Sequence, residues 1–474
     1  MKILLISPKC SNRLPEIYNV GLAYIGAVLK SDGHDIRLVD LNINGKKPAE
    51  IIDEIKRSGK PDAVGMGTIV TAFNHVRWLI DEIKKIYPDV PVWAGNSVAS
   101  TIPEIFLQNT KADVVVAGEG ENTARELAAG RAFEDIDGIH YRKNGQIIQT
   151  RPREVISDLD SLPFPAHELF DQEAYTSVRQ KKHGKTFTLG ASSRGCPYHC
   201  TYCYHAYQGM KPRYHSAGRM LDELEYALGR YNFDFFGWAD DLFISNRKRV
   251  FEFCDLIEKA KIKKKWGATA RVNLVDEELL KRMKSAGCVW VGFGIESGSQ
   301  KILDNIKKGV TVSQAKNALA LCKKASMDYT ISLMIGNVGE NEETAAETVR
   351  FVEETDSCPP SSLFLATPYP GTELYEYGLR TGKIKDEDAL IKSYGEQATT
   401  LLVNFSELPD NDLLSLKEKT EKNIKRVYIK RHPFLWASAL FGEFVFAVKA
   451  YGLPVALLKG TRKILGAVTG NHKY

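Results

Sequence analysis

The stretch at residues 192–203 reads SSRGCPYHCTYC and carries three cysteines in a CxxxCxxC spacing: Cys196, Cys200 and Cys203. Gly195 and Pro197 interrupt any regular helix here, so the three thiolates can converge from a loop. Three soft thiolates at short range favour a metal site, and iron–sulfur clusters are held by cysteine thiolates. The spacing therefore predicts a [4Fe–4S] cluster with one iron left open for a substrate or cofactor.

Two alternatives to a cluster stay open on the residues alone. His199 and His205 are near enough in sequence to complete a zinc site, although zinc sites usually show paired Cys/His halves at a distance. Chance clustering is the other alternative. The remaining cysteines are scattered singly, and four of them lie on apolar patterns that predict core residues: Cys254, Cys288, Cys322 and Cys358.

The cysteine loop stands at the start of a series of six candidate strands. Their sequences are TFTLGASS, FDFFGWA, WGATARV, VWVGFGI, YTISLMIG and SLFLATPYP. Each is followed by a helical pattern or a loop, and six such units predict a partial (β/α)6 TIM-type barrel rather than the full eight. This core is expected over residues 185–400, with a helical C-terminal region over residues 401–474.

A second alternating series precedes the cysteines, from residue 1 to about residue 130. Its five apolar runs are KILLIS, HDIRLVDLN, PDAVGMG, VPVWAG and ADVVVAG, and amphipathic helical stretches separate them. This alternation predicts a parallel, Rossmann-like sheet covered on both faces, with ligands at the carboxyl ends of its strands. The predicted α/β domain spans residues 1–135, and a hairpin with a proline-bearing linker spans residues 136–184.

Composition and charge narrow the class of protein. The chain has 474 residues, 43% of them apolar and 26% charged, which is typical of a folded protein of two or three domains. A formal charge of +5 is too small an excess to indicate nucleic acid as a partner. Eight cysteines without a disulfide pattern, and no secretory leader at the start, favour a reducing cytoplasm.

The cysteine motif, with Tyr202 before its last cysteine and a (β/α)6 series behind it, resembles the radical S-adenosylmethionine (radical SAM) superfamily. The resemblance covers about residues 185–374. It implies that the open iron chelates the amino and carboxylate groups of S-adenosyl-L-methionine, which is cleaved reductively to methionine and a 5′-deoxyadenosyl radical. It also implies an electron donor such as flavodoxin or ferredoxin.

The same resemblance implies further contacts to S-adenosylmethionine. Asp240 and Asp241 stand where the family holds the methionine amine, and two adjacent acids suit a cation; helix capping is the alternative. Glu296 ends the fourth strand, where the family binds the ribose hydroxyls. Lys308 falls where a basic residue meets the carboxylate, unless it is a solvated surface charge. In SLMIGNVGE, Gly336 would pass the adenine, although serine replaces the first glycine of the family segment.

The first domain resembles the cobalamin-binding domain of the cobalamin-dependent subclass. The matching segments are residues 21–26, 33–34, 65–68 and 118–121. The resemblance implies cobalamin contacts at four positions: Thr68, Gly95, Gly118 and Glu119. A regulatory or purely architectural α/β domain is the alternative.

One further signal in this domain argues against a histidine ligand to cobalt. Asp32-Gly33-His34 mimics the start of the DxHxxG motif, but arginine replaces its final glycine, and the stretch precedes the second strand instead of following the first. His34 is therefore predicted to be a turn residue, and cobalamin is expected without a histidine lower ligand. Cys10, in the loop that would face cobalt, is predicted to be a buried apolar residue.

The C-terminal segment allows two interpretations. Residues 417–432 carry seven Lys or Arg residues and one His, and aromatic and aliphatic side chains follow up to residue 446. A helical region that packs its apolar stripe on the barrel is one interpretation. The other is a basic amphipathic segment in the membrane interface, which would favour a lipid substrate.

These patterns predict a cobalamin-dependent radical SAM enzyme, and the resemblance implies methylation of an unactivated carbon in a small-molecule or lipid substrate. Cyclisation or rearrangement without methyl transfer uses the same architecture and stays open. A non-enzymatic cobalamin and iron–sulfur sensor also stays open, and it would not cleave S-adenosylmethionine. The expected location is the cytoplasm, with peripheral contact to the membrane only on the second interpretation of the C-terminal segment.

Overall fold

The structure is a computed structural model of the chain. It describes residues 1–10, 17–43, 45–178, 183–204, 210–357, 363–395 and 400–434. Three features predicted from the sequence lie outside these described residues: His205, Cys358 and the C-terminal segment after Phe434.

The first domain is a sheet of seven strands in the order β2-β1-β3-β4-β5-β6-β7. The strands are β1 Lys2–Ser7, β2 Asp35–Asp40, β3 Ala63–Gly67, β4 Val92–Gly95, β5 Val114–Val116, β6 Ile139–Lys143 and β7 Gln146–Gln149. The helices are α1 Val20–Ser31, α2 Pro48–Arg57, α3 Phe73–Ile86, α4 Ser97–Thr101, α5 Pro103–Asn109 and α6 Gly120–Ala128. The first five strands pair in parallel, as the regular alternation of strand and helix patterns predicts.

The hairpin and the linker, to which the sequence prediction gave a range of their own, both contact the first domain. Strand β6 pairs antiparallel with β5, so the hairpin extends the first sheet. Apolar side chains of the linker, including Leu159 and Phe170, are buried in the core of the same domain. The segment is therefore part of this domain's packing rather than a free spacer, because its apolar side chains reach a core that the sequence alone does not reveal.

The second domain is a partial barrel of six parallel strands in the order β15-β14-β13-β12-β11-β8. The strands of this domain are β8 Thr186–Thr188, β9 Ser193–Arg194, β10 Arg213–Tyr214, β11 Phe235–Gly237, β12 Lys265–Ala270, β13 Cys288–Glu296, β14 Asp328–Ile335 and β15 Leu363–Leu365, of which β9 and β10 form a separate antiparallel pair. Helix α7 Gln172–Val178 ends the linker and precedes β8, and the later helices are α8 Ala217–Leu228, α9 Arg247–Lys259, α10 Glu277–Ser285, α11 Gln300–Asn305, α12 Val312–Lys324, α13 Glu342–Thr355, α14 Glu373–Arg380, α15 Glu387–Ser393 and α16 Asp410–Arg431. The predicted (β/α)6 architecture is confirmed.

An aromatic cluster packs strands β11 and β12 against helix α9, with Trp266 fully buried against Phe236, Phe243 and Phe253. Three of the predicted core cysteines are buried in the same cluster: Cys254, Cys288 and Cys322. In the first domain, Cys10 is partly buried against apolar neighbours, and burial raises the pKa of its thiol to about 11. His34 lies in the turn before β2 with its Nδ1 atom 3.1 Å from the amino terminus, as expected of a turn residue.

The described part of the C-terminal region packs on the barrel. Helix α16 lies against α13 and buries Leu413, Leu416 and Ile424. Among the described residues, no helix combines the length and apolarity that crossing a membrane requires. The packing interpretation therefore holds for α16.

Candidate functional site

The three cysteines of the motif lie on one loop that neighbouring barrel elements hold in place. The Thr201 backbone N–H donates to the Ile306 carbonyl at 3.0 Å, and the Leu374 N–H donates to the Thr201 carbonyl at 2.8 Å. The Cys203 N–H donates to the Cys200 carbonyl at 3.1 Å, which turns the loop back on itself. Cys200 is buried, while the other two cysteines are partly exposed.

The cysteine thiols are electrostatic neighbours in a mostly buried setting. Burial, together with Cys200, Asp241 and Cys196, raises the pKa of Cys203 to about 12. Burial also raises the pKa of Cys196, with Asp241 and Cys200 adding to the shift. Cysteines bind metals as thiolates, and burial makes these thiolates unfavourable. The positive charge of an iron–sulfur core would stabilise them. The donor set therefore fits an iron–sulfur cluster.

Three predicted cofactor residues meet in one buried contact beside the cysteines. The Lys308 Nζ atom lies 3.0 Å from Glu296 Oε1 and donates to the Tyr202 hydroxyl at 3.0 Å. Glu296 adopts φ 69° where the ladder between β13 and β14 shifts register, and this directs its side chain back over Gly294. A side chain at Gly294 would collide with the Glu296 carboxylate, so the glycine keeps that space open. Lys308 is thus a buried ion-pair partner and not a solvated surface charge.

The two adjacent aspartates have different roles. Asp240 is fully buried, and its carboxylate accepts hydrogen bonds from Ser192 N and from Ser193 N at 3.0 Å, with Arg249 3.8 Å away. Burial raises the pKa of Asp240 against the opposing effect of Arg249. Asp240 therefore braces the strand that leads into the cysteine motif. Asp241 is exposed and lines the cavity described below.

The segment after β14 contains buried polar groups that sequence reasoning missed. Gly336 has φ 88° and lies close to Leu413 of α16, which leaves no room for a larger residue. The next residue, Asn337, is 1% exposed, and its side-chain amide has no hydrogen-bond partner among the described residues. Burial raises the pKa of Glu340 to about 7, although Thr344 Oγ1 donates to its carboxylate at 2.6 Å. In the sequence, the GNVGE stretch was the pattern that could have indicated these buried polar groups.

A large cavity opens at the carboxyl ends of β3, β4 and β5 and is bounded on its far side by the barrel. It encloses about 1380 Å³ of empty space, part of it open to solvent. Its lining is apolar at depth, with Leu5, Leu22, Trp93 and Leu127 between the sheet and helices α1 and α6. Side chains on the cysteine side of the barrel, including Tyr204 and Asp241, complete the wall, and a large apolar ring system fits such a lining.

Three of the four predicted cobalamin contacts line this cavity, and the fourth lies outside its lining. Gly95 and Gly118 line it, and the φ of 80° at Gly118 favours glycine. Thr68 is fully buried outside the lining, and its hydroxyl donates to the Gly95 carbonyl at 2.6 Å, so it fastens β3 to β4. Glu119 lines the cavity but is held by arginines of the barrel domain.

A buried charge cluster joins the two domains at this cavity. The Arg194 guanidinium donates to both Glu119 and Glu121, and Arg213 Nη1 lies 2.9 Å from Glu119 Oε2. Burial opposes ionisation of Glu119, but the two arginines hold its pKa below the usual value. Arg194 directly precedes Gly195 of the cysteine loop, so this ion-pair cluster fixes the loop to the β5–α6 connection. This role was not predicted from the sequence, because no local sequence pattern indicates an ion pair between residues so far apart in the chain.

Comparisons with known proteins agree with this arrangement. The family model of the radical SAM superfamily matches residues 191–352, and that of the B12 binding domain matches residues 10–128. An uncharacterized methyltransferase of Pyrococcus horikoshii is 32% identical over 390 residues, which cover 80% of this chain and 83% of that protein. The anaerobic magnesium-protoporphyrin IX monomethyl ester cyclase of Rubrivivax gelatinosus is 27% identical over 392 residues, which cover 79% and 70% of the two chains.

A solved structure shares the fold. TsrM from Kitasatospora setae, a radical S-adenosylmethionine methyltransferase with cobalamin and a [4Fe–4S] cluster bound, matches with a TM-score of 0.67. The match covers 81% of this chain and 76% of TsrM at 18% sequence identity.

Fold, site and family models define this chain as a radical SAM enzyme with a B12 binding domain ahead of its barrel. It belongs to the cobalamin-dependent radical SAM family. The cofactors of this enzyme are a [4Fe–4S] cluster, S-adenosyl-L-methionine and cobalamin, and the family and cofactor predictions are thereby confirmed.

Replacing Arg194 by glutamine should destabilise the protein by about 3–5 kcal/mol, because Glu121 would stay buried without its partner. Equilibrium denaturation measures this loss. The exposed Arg151→Gln is the matched control and should change stability by less than about 0.5 kcal/mol. Adding Glu121→Gln to Arg194→Gln should recover part of the loss. An Arg194→Gln protein that unfolds at the wild-type denaturant concentration would contradict the ion-pair cluster.

The raised pKa of Glu340 predicts a pH-dependent stability. Between about pH 4.5 and 7 Glu340 binds more protons in the native state than in the unfolded chain, so the contribution of this carboxyl to stability falls as pH rises through this window. Glu340→Gln removes that dependence and should be more stable than wild type at pH 8 by up to about 3 kcal/mol, with the difference absent at pH 4. Thermal unfolding across the pH range tests this, with the exposed Glu343→Gln as control. A difference that does not vary with pH would refute it.

Proposed function

We propose that this enzyme methylates an unactivated carbon of a small-molecule substrate. The observation that carries the proposal is the shared wall between the cavity of the B12 binding domain and the cysteine side of the barrel, where Tyr204 and Asp241 line the cavity beside Gly118. A methyl group held in this cavity would lie next to the place where a substrate radical forms. Such adjacency is what a direct transfer needs, because reacting groups must be held close together.

We assign the chain's residues as follows. Cys196, Cys200 and Cys203 hold the cluster through their thiolates. Asp241 receives the methionine amine of S-adenosylmethionine, since its neighbour Asp240 is occupied by backbone N–H groups. When bound, the cofactors supply reductive cleavage of S-adenosylmethionine and the methyl group.

The buried Lys308 and Glu296 pair provides two further cofactor contacts. Lys308 would turn to the carboxylate of S-adenosylmethionine and Glu296 to its ribose hydroxyls, each exchanging one partner for another. Tyr202 positions Lys308 through its hydroxyl. Gly336 would pass the adenine with backbone groups.

The cavity residues Gly95, Gly118 and Glu119 are proposed to face cobalamin, with Thr68 supporting them from behind. Methylation is preferred to cyclisation because the methyltransferase of Pyrococcus horikoshii is more similar, over a larger share of both chains, than the cyclase of Rubrivivax gelatinosus. The cyclase likeness keeps cyclisation as the second candidate.

The remaining assignments concern partners and location. We propose a flavodoxin- or ferredoxin-type electron donor and a cytoplasmic location. The domain limits we propose are residues 1–178 for the cobalamin domain with its hairpin and linker, 183–395 for the barrel, and 400–434 for the helical region. Contact between the C-terminal segment and a membrane remains a hypothesis of the sequence alone.

Anaerobic reconstitution of the full chain with iron, sulfide and hydroxocobalamin tests the function. The wild type should form 5′-deoxyadenosine after reduction, and S-adenosylmethionine with a deuterated methyl group should pass its label to cobalamin. Cys200→Ala should abolish 5′-deoxyadenosine while cobalamin binding persists, because the two sites lie on different domains. The core variant Cys254→Ala should retain both. Zinc at the three thiols, or 5′-deoxyadenosine formation unaffected by Cys200→Ala, would refute the proposal.

Glu296→Ala should weaken binding of S-adenosylmethionine tenfold or more, because a hydrogen bond to a charged group contributes about 1.5–3 kcal/mol. Iron content should stay at the wild-type value. Equilibrium binding to the reconstituted, unreduced enzyme measures the affinity, and the exposed Glu278→Ala is the control for loss of a carboxylate. Equal affinities of Glu296→Ala and wild type would reject the ribose role.

A further inference from the structure

Arg271 is a buried arginine just after β12 whose guanidinium faces the cysteine loop. It is 7% exposed, and its Nη1 atom donates to the Cys200 sulfur at 3.7 Å. Its Nη2 atom is buried without a hydrogen-bond partner among the described residues. Nothing in the sequence predicts this contact, since 71 residues separate the two side chains.

Two neighbours fix the direction of this guanidinium. The Arg271 Cζ atom lies 3.6 Å from the ring centroid of Tyr198, a residue inside the cysteine motif. Its Nε atom donates to Asn273 Oδ1 at 3.0 Å, and Asn273 Nδ2 donates to the Tyr198 hydroxyl at 3.3 Å. Because the guanidinium is planar and held at its Nε and on one face, its Nη1 donor stays directed at the Cys200 sulfur.

The charge of Arg271 differs in its surroundings from the charges of the other buried arginines. Buried arginines elsewhere in this chain pair with acids, as Arg194 does with Glu121 and Arg249 with Asp240. Among the described residues, no salt bridge joins Arg271 to an Asp or Glu side chain. Burying a charge without a partner is costly, so the neighbouring thiolate set is the group that compensates it.

We propose that Arg271 sets the reduction potential of the cluster on Cys196, Cys200 and Cys203. The inference rests on the proposed cluster site. One-electron reduction adds a negative charge to the cluster, with the electron taken from an external one-electron donor of the flavodoxin or ferredoxin type. A fixed positive charge and an N–H donor at a ligand sulfur favour that added charge, and hydrogen bonds to the sulfurs are a known control of such potentials.

Replacing Arg271 by glutamine should lower the equilibrium constant for cluster reduction about tenfold, which for a one-electron couple is a midpoint potential about 59 mV more negative. Arg271→Lys keeps the charge but loses the fixed fork, so its shift should be smaller and of the same sign. A redox titration of the anaerobically reconstituted full chain with dithionite and mediators, followed by electron paramagnetic resonance, measures these potentials.

The matched control is Arg247→Gln, which removes an arginine paired with Asp276 on the protein surface and should leave the potential unchanged. Asn273→Leu is the second variant, because it frees Arg271 without touching a proposed cluster ligand or the guanidinium itself. It should shift the midpoint potential to a more negative value, by less than Arg271→Gln does. If Arg271→Gln fails to fold, this variant tests the role of Arg271.

The outcomes separate this inference from the proposed function. If the wild type assembles no [4Fe–4S] cluster, the proposed site itself is wrong. If wild type and Arg271→Gln hold equal iron and equal potentials, the cluster site stands and the role of Arg271 is refuted. A shift of the same size in Arg247→Gln would also refute it, since the effect would then come from net charge alone.

Discussion

The buried ion pairs between Arg194 and the two glutamates of the β5–α6 connection fix how the domains sit on each other. Arg194 belongs to the strand that enters the cysteine loop, whereas Glu119 and Glu121 belong to the rim of the cobalamin cavity. Sliding one domain over the other would leave buried charges unpaired, which costs several kcal/mol. Because the guanidinium is planar and rigid, these ion pairs constrain the relative orientation of the two domains as well as their separation. The separation between the cavity and the cysteine loop is therefore a property of the folded chain.

The parallel part of each sheet was predictable from the sequence because most of its central strands are buried on both faces. Such strands are nearly continuous apolar runs, and β1 and β3 are buried almost throughout. The hairpin was predictable as a local turn from Asn144-Gly145, but its pairing with β5 was not. Local turn chemistry specifies that two strands return on each other, while the choice of a third strand depends on an edge elsewhere in the chain. The same limit applies to the linker, whose burial depends on tertiary contacts.

Some features of the candidate site were likewise visible in the local sequence, whereas others depend on contacts between distant residues. Three cysteines within eight residues favour a cluster by spacing alone, although the spacing also allows zinc. Asp240 and Asp241 are equivalent on paper, and only the fold distinguishes them by giving Asp240 the backbone N–H groups of Ser192 and Ser193. Arg271 could not be associated with Cys200 because arginines are common and nothing in its local sequence marks one that will be buried.

The internal partners of each buried charge decide which of them is suited to a ligand. Asp240 is held by several donors that are part of the loop itself, so withdrawing it would dismantle that loop. Lys308 and Glu296 contact each other at 3.0 Å, and among the described residues the other hydrogen-bond partner of the lysine ammonium is the Tyr202 hydroxyl. A pair of this kind keeps both charges compensated without a cofactor, and each member has a polar ligand group to which it could turn, a carboxylate for Lys308 and hydroxyls for Glu296. We therefore expect a buried charged side chain to bind a ligand when it has few partners within the protein. A charged side chain with many such partners supports the local structure instead.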